Sequence, residues 1–237
     1  TNTMILIWFA PTIVNIVTRL IKTPANTEEE AFRLRYIDAG LIAAPELATE
    51  QATKEIIHFA KISKNGLGYV RAAINETDPE KFEEIRGKLV KYEEISDRIE
   101  YEIATFLNAA SSHELSGDTS SLIKAMYKII GELESLGDSG EAISRILSRK
   151  NIHKRTFNEE TIKKLNNMVN LVEAAYDSMI ANLEATSEDR LDNIQNAYNA
   201  EENLNVMRNN LRDEEIENID RNSDNYVTGV YFMDLIN

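Results

Sequence analysis

From Pro45 onward the apolar positions recur at spacings of three and four, the pattern of a helix that buries one face. Leu47, Ala52, Ile56, Phe59, Ile62, Leu67, Val70 and Ala73 mark the first such face, which runs from Pro45 to about Asn75. Proline suits the opening position because its missing N–H is not needed there; Gly66 and Gly68 weaken the centre of the segment. Thr77-Asp-Pro-Glu80 is a helix-start signal, and the helix it starts continues to about Ala110. Its stripe is Phe82, Ile85, Leu89, Tyr92, Ser96, Ile99, Ile103 and Phe106. His113 to Gly117 reads as a loop. Asp118 or Thr119 then caps a third helix to about Lys150, with Leu122, Met126, Ile129, Leu133, Leu136, Gly140, Ile143 and Leu147 on its inner face.

After the basic stretch Arg149 to Arg155, read as a linker, the arrangement repeats. Asn158 caps a helix carrying Ile162, Leu165, Val169, Val172, Tyr176, Met179 and Leu183. Thr186-Ser-Glu-Asp189 restarts the chain into a helix reaching about Asp220, and Asn222 and Asp224 precede a last helix that stops in mid-pattern at Asn237. No stretch alternates over a strand's length. The expected fold is all-α: two tandem three-helix up-down bundles, 45–150 and 151–237, the second truncated, preceded by a connector segment 1–44.

Composition narrows the function. All four prolines lie in the first third, which favours long uninterrupted helices beyond it. A formal net charge of −14 argues against a nucleic-acid partner, since phosphate binding needs clustered Lys and Arg. The chain has no cysteine, so neither a disulfide framework nor a thiolate metal site can form. Met4 to Ile21 is mostly apolar but interrupted by Pro11, Asn15 and Arg19, too short and too broken to span a bilayer alone. It reads either as an amphipathic helix packed on the domain or as the last turns of a transmembrane helix, and the whole as a fragment of a larger protein.

Two carboxylate pairs stand out: Glu93 with Asp97, and Glu134 with Asp138. A spacing of four puts both acids of a pair on one helical face, where like charges repel. Basic neighbours, water or a cation must offset that repulsion. Both pairs border the apolar stripes, so they are expected at the bundle edge, with Asp97 and Glu134 at similar heights. Hard oxygen donors there suit Mg, Mn, Fe or Zn ions, although Glu173 and Asp177 share the spacing and solvated acid pairs are common. Glu55-Ile-Ile-His58 has the ligand spacing of di-iron bundles, but one half-site is most simply an exposed amphipathic turn. Without a nucleophile elbow, P-loop or dinucleotide fingerprint, no enzyme is indicated.

Glu93-Glu-Ile-Ser-Asp-Arg-Ile-Glu-Tyr-Glu-Ile103, followed by Ile129-Ile-Gly-Glu-Leu-Glu-Ser-Leu-Gly-Asp138, resembles the helical signature of the PhoU family. The resemblance implies tandem three-helix bundles whose E-x-x-x-D motifs hold metal clusters and which regulate phosphate uptake. Carried over residue by residue, it makes Glu93, Asp97, Glu134 and Asp138 the metal-binding positions of the first repeat. The second repeat departs from the pattern, since Glu202 takes the position of Asp97 while Tyr198 stands four residues before it. Thr3-Met-Ile-Leu-Ile-Trp-Phe-Ala-Pro11, Phe32-Arg-Leu-Arg-Tyr-Ile37 and Ala44-Pro-Glu-Leu47 are similar to the junction in bacterial sodium/phosphate cotransporters. That similarity implies a transmembrane transporter core as partner, within one chain, and a place on the cytoplasmic face of the bacterial inner membrane. The alternative is a scaffolding bundle that forms a homodimer through its apolar faces without a ligand.

Overall fold

The computed structural model describes residues 34–185, 190–221 and 226–237. The apolar start over 4–21, the restart at Thr186 to Asp189 and the signals at Asn222 and Asp224 lie outside the described residues. Among the described residues there is no strand. Among the described residues, six α-helices follow a short 3-10 turn at Ala39–Leu41: α1 (Pro45–Asn75), α2 (Pro79–Ser111), α3 (Gly117–Ile152), α4 (Glu159–Glu184), α5 (Arg190–Arg221) and α6 (Tyr226–Ile236). The all-α expectation is met. No helix among the described residues is long and apolar enough to cross a membrane.

The helix starts follow local chemistry. Asp78 accepts hydrogen bonds from the backbone N–H groups of Glu80 (2.9 Å) and Lys81 (3.1 Å), and Pro79 sits at the first helical position. Asn158 does the same for Thr161 at 2.8 Å. The start of α3 differs from expectation: neither Asp118 nor Thr119 caps it. Ser116 does, its Oγ accepting from the Thr119 N–H at 3.1 Å. The basic linker is also corrected, because α3 runs through Arg149 and Lys150 to Ile152. Two cations in the last turn face the negative end of the helix dipole, which favours helix over loop there. The turn that follows puts Lys154 at φ 53°, with its N–H on the Asn151 carbonyl and the Arg155 N–H on the Lys150 carbonyl. That is a Schellman ending, normally built on glycine.

The first three helices pack on one another, and α4 pairs with α5 while α6 packs on α3, α4 and α5. Inside the first triplet Ile56, Phe59, Ile103, Leu107, Ile130 and Leu133 are fully buried. A second apolar cluster joins Val70 and Ile74 of α1 and Leu89 of α2 to Leu165 and Val169 of α4, Leu211 of α5 and Phe232 of α6. Leu34 to Asn237 is accordingly one compact unit. Antiparallel packing of α2 against α3 is fixed by Tyr127, whose hydroxyl donates to the Ala104 carbonyl at 3.2 Å, and by the approach of Gly137 to Ser96.

Candidate cation site

The site begins with a missing side chain. A Cβ placed on Gly137 would fall 2.6 Å from Ser96 Oγ and 2.8 Å from Ser96 Cβ, too close for real atoms. Glycine on α3 and a fully buried serine on α2 therefore let the two helices meet more closely than larger residues would allow. The acids flanking this contact are drawn together. Glu93 and Asp97 of α2 and Asp138 of α3 each offer a carboxylate oxygen, and these oxygens all lie within 4.8 Å of one another. Glu93 is half-buried, while Asp97 and Asp138 are exposed. The acids stand at the bundle edge.

The fourth expected residue is placed differently. Glu134 lies outside this group, and its Oε2 accepts a long hydrogen bond from Ser135 Oγ at 3.3 Å. It still feels the site, because Asp138 and Asp97 act on it electrostatically. The sequence spacing placed Glu134 and Asp138 on one face of α3. It could not reveal that α2 comes close to α3 at Gly137, next to Asp138.

The group is electrostatically unbalanced. Partial burial, followed by the charges of Asp97, Asp138, Glu141 and Glu94, pushes the Glu93 carboxyl above the usual carboxylate range. Glu134 is shifted the same way by burial and then Asp138, against the opposing Ser135 hydrogen bond. Repulsion and desolvation both disfavour the ionised form. A bound cation would reverse both effects. The donor set is all carboxylate, which fits Mg²⁺, Mn²⁺ or Ca²⁺. It contains no imidazole or thiolate, the ligands that favour Zn²⁺. One donor face is built from two helices, so the chemistry available is cation binding that ties α2 to α3.

Glu55 and His58 form no such site, and the reading of that turn as exposed is overturned. Glu55 is only 1% exposed. Its Oε2 accepts from the backbone N–H groups of Arg35 and Tyr36, both at 2.7 Å. Beside it, Tyr36 meets the His58 ring edge-on at 6.1 Å between centroids, and Gln51 Oε1 accepts from the Asp38 N–H at 3.0 Å. Burial, then the charge of Arg35, lowers the His58 pKa, and its Nε2 has no hydrogen-bond partner among the described residues. Glu55 is thus an anchor for the segment preceding α1. Nothing in the E-x-x-H spacing could have disclosed it, since its partners lie twenty residues away.

In the second half Tyr198 is 62% exposed and Glu202 is exposed, and no second carboxylate group forms among the described residues. Comparison with family models, with curated proteins and with solved structures finds no match to this chain.

Proposed function

We propose that the chain is a PhoU-like regulatory domain of a sodium-dependent phosphate transporter, and that Glu93, Asp97 and Asp138 hold a divalent cation that sets its conformation. The observation carrying this reading is the convergence of three carboxylates from two helices at the Gly137–Ser96 contact. The residues doing so belong to the two phrases that resemble the PhoU signature. Glu93 supplies the half-buried oxygen, while Asp97 and Asp138 close the group from the two helices. When bound, the cation supplies charge neutralisation. The protein supplies a fixed spacing between α2 and α3, so that occupancy stiffens their packing.

The partner in this reading is a transmembrane transporter core, with the domain on the cytoplasmic face of the bacterial inner membrane. Regulation then requires that the domain contact one conformation of that core better than the other, because equal contact with both shifts no equilibrium. Glu55 matters here as well: it holds residues 35 and 36 on α1, so a movement of α1 is felt at the start of the described chain.

Two measurements test the proposal. Mn²⁺ or Mg²⁺ at about 100 times its dissociation constant should stabilise the protein by about 2.7 kcal/mol, raising Tm by roughly 5–10 °C. The paired substitution Asp97→Asn and Asp138→Asn should abolish that rise. Sodium-driven phosphate uptake by the transporter carrying this domain should respond less to external phosphate in the same variant. A Tm indifferent to divalent ions favours a scaffolding bundle. Uptake unchanged by removing the domain defeats the regulatory reading.

A further inference from the structure

Glu55 and His58 stand about one turn apart on α1, against the segment 34–38 that leads into it. As folded, Glu55 serves the segment and not the histidine. Its Oε2 accepts from both the Arg35 and the Tyr36 N–H groups at 2.7 Å, while Gln51 Oε1 accepts from the Asp38 N–H at 3.0 Å. Tyr36 lies edge-on against the His58 ring, 6.1 Å between centroids.

The His58 ring is held where a charge is unwelcome. Its Nε2 is buried and has no hydrogen-bond partner among the described residues. A neutral imidazole can leave that nitrogen unprotonated, whereas imidazolium carries an N–H on both nitrogens. Protonation therefore creates a buried charged donor with nothing to receive it, a costlier state than an unpaired neutral acceptor. Burial first, then the Arg35 charge, holds the pKa below the ordinary 6.5; Glu55 opposes them and Lys61 adds to them. Lys61 is itself held by Glu184 of α4 at 2.5 Å. Among the described residues the charges acting on the ring are thus Arg35 of the segment, Glu55 and Lys61 of α1 and, at one remove, Glu184 of α4.

Part of this pressure belongs to the segment and leaves with it. Lifting residues 34–38 removes the Tyr36 contact and the Arg35 charge, and frees the Glu55 carboxylate from its two N–H donors. Glu55 then stands three residues N-terminal to His58, a spacing at which an acid and a cation pair across one helical turn. The closed state favours neutral His58, and the open state favours the imidazolium.

We propose that the Glu55–His58 turn is an acid-operated latch: uptake of one proton by His58 moves Glu55 from the Arg35 and Tyr36 N–H groups to the imidazolium and releases the segment from α1. The inference depends neither on the cation site nor on the transporter reading. The open state holds the proton more tightly, so opening gains as pH falls below 6.5, the ordinary value of the ring. One proton limits the gain to about tenfold per pH unit. Amide hydrogen exchange on the whole chain between pH 7.5 and 5.5, each rate divided by its intrinsic value, reads the opening. Protection at the Arg35 and Tyr36 amides should fall about 3- to 10-fold over that range, while amides of α2 and α3 keep theirs. His58→Gln, which cannot take the charge, should show no such fall; His58→Phe serves if the glutamine variant does not fold. In the wild type the His58 ring, followed by NMR, should titrate below 6.5. Protection indifferent to pH overturns the proposal, as does a His58 that titrates at or above 6.5. A fall of equal size in the His58 variants also overturns it, since carboxylates would then carry the titration. So does a fall shared by α2 and α3, which is general loosening.

Discussion

Between Gly137 and Ser96 there is no room for a methyl group, and the consequence falls on the carboxylates nearby. Close helix approach puts Asp138 beside Glu93 and Asp97, and the half-buried member of the three bears most of the conflict. Its raised pKa has a sign that can be measured. A carboxyl that ionises less readily when folded destabilises the protein above its folded pKa. That penalty is relieved as pH falls through the folded pKa towards the unfolded value near 4.5. Without divalent ions, Glu93→Gln should therefore melt roughly 1–2 °C higher than wild type at pH 7. The difference should vanish as pH falls through that window. A constant offset down to pH 4 would show that the substitution acts by packing instead of charge. At this scale the sequence made the acids legible through their spacing. Which three of the four acids converge was not legible, because it depends on the rotation of α3 about its axis. The Gly137–Ser96 contact is one of those that set this rotation.

The segment before α1 shows how an element can be anchored by a residue whose pattern says something else. Glu55 follows two helical neighbours into the interior because two backbone N–H groups wait for it there, at Arg35 and Tyr36. Glu55→Ala leaves those donors without their acceptor, which costs about 1–3 kcal/mol. The helices themselves should remain intact. Hydrogen exchange should accelerate at the Arg35 and Tyr36 amides while the amides of α2 and α3 keep their protection; unchanged exchange at both would refute the anchor. Helix starts were readable at Asp78 and Asn158, whose side chains cap their own neighbours. The start of α3 was misread because Asp118 and Thr119 are also capping residue types and stand just after the true cap, Ser116. The end of α3, expected at about Lys150, falls at Ile152. A Schellman turn normally advertises itself with glycine, and here Lys154 adopts the left-handed conformation instead.

Across the whole molecule, the two triplets are joined in two different ways. One is a polar ladder along antiparallel α1 and α4: Lys61 with Glu184, Lys64 with Asp177, Arg71 with Glu173 and Asn170, and Asn75 with Asn166. These side chains are largely exposed, so each ion pair contributes little and salt screens it. The other is the apolar cluster that takes Val70, Leu89 and Leu147 from the first triplet and Leu165, Leu211 and Phe232 from the second. This cluster dominates, because α5 brings only Leu211 as a buried apolar side chain among those described, leaving the second triplet a thin core of its own. A unit that draws its core from its neighbour cannot unfold independently of it. Residues 34–237 should therefore unfold in one calorimetric transition, with calorimetric and van't Hoff enthalpies in agreement. Raising NaCl to about 1 M should lower Tm by no more than a few degrees. Two resolved transitions, or dissociation of the halves in salt, would mean that the ladder and not the apolar cluster holds them together.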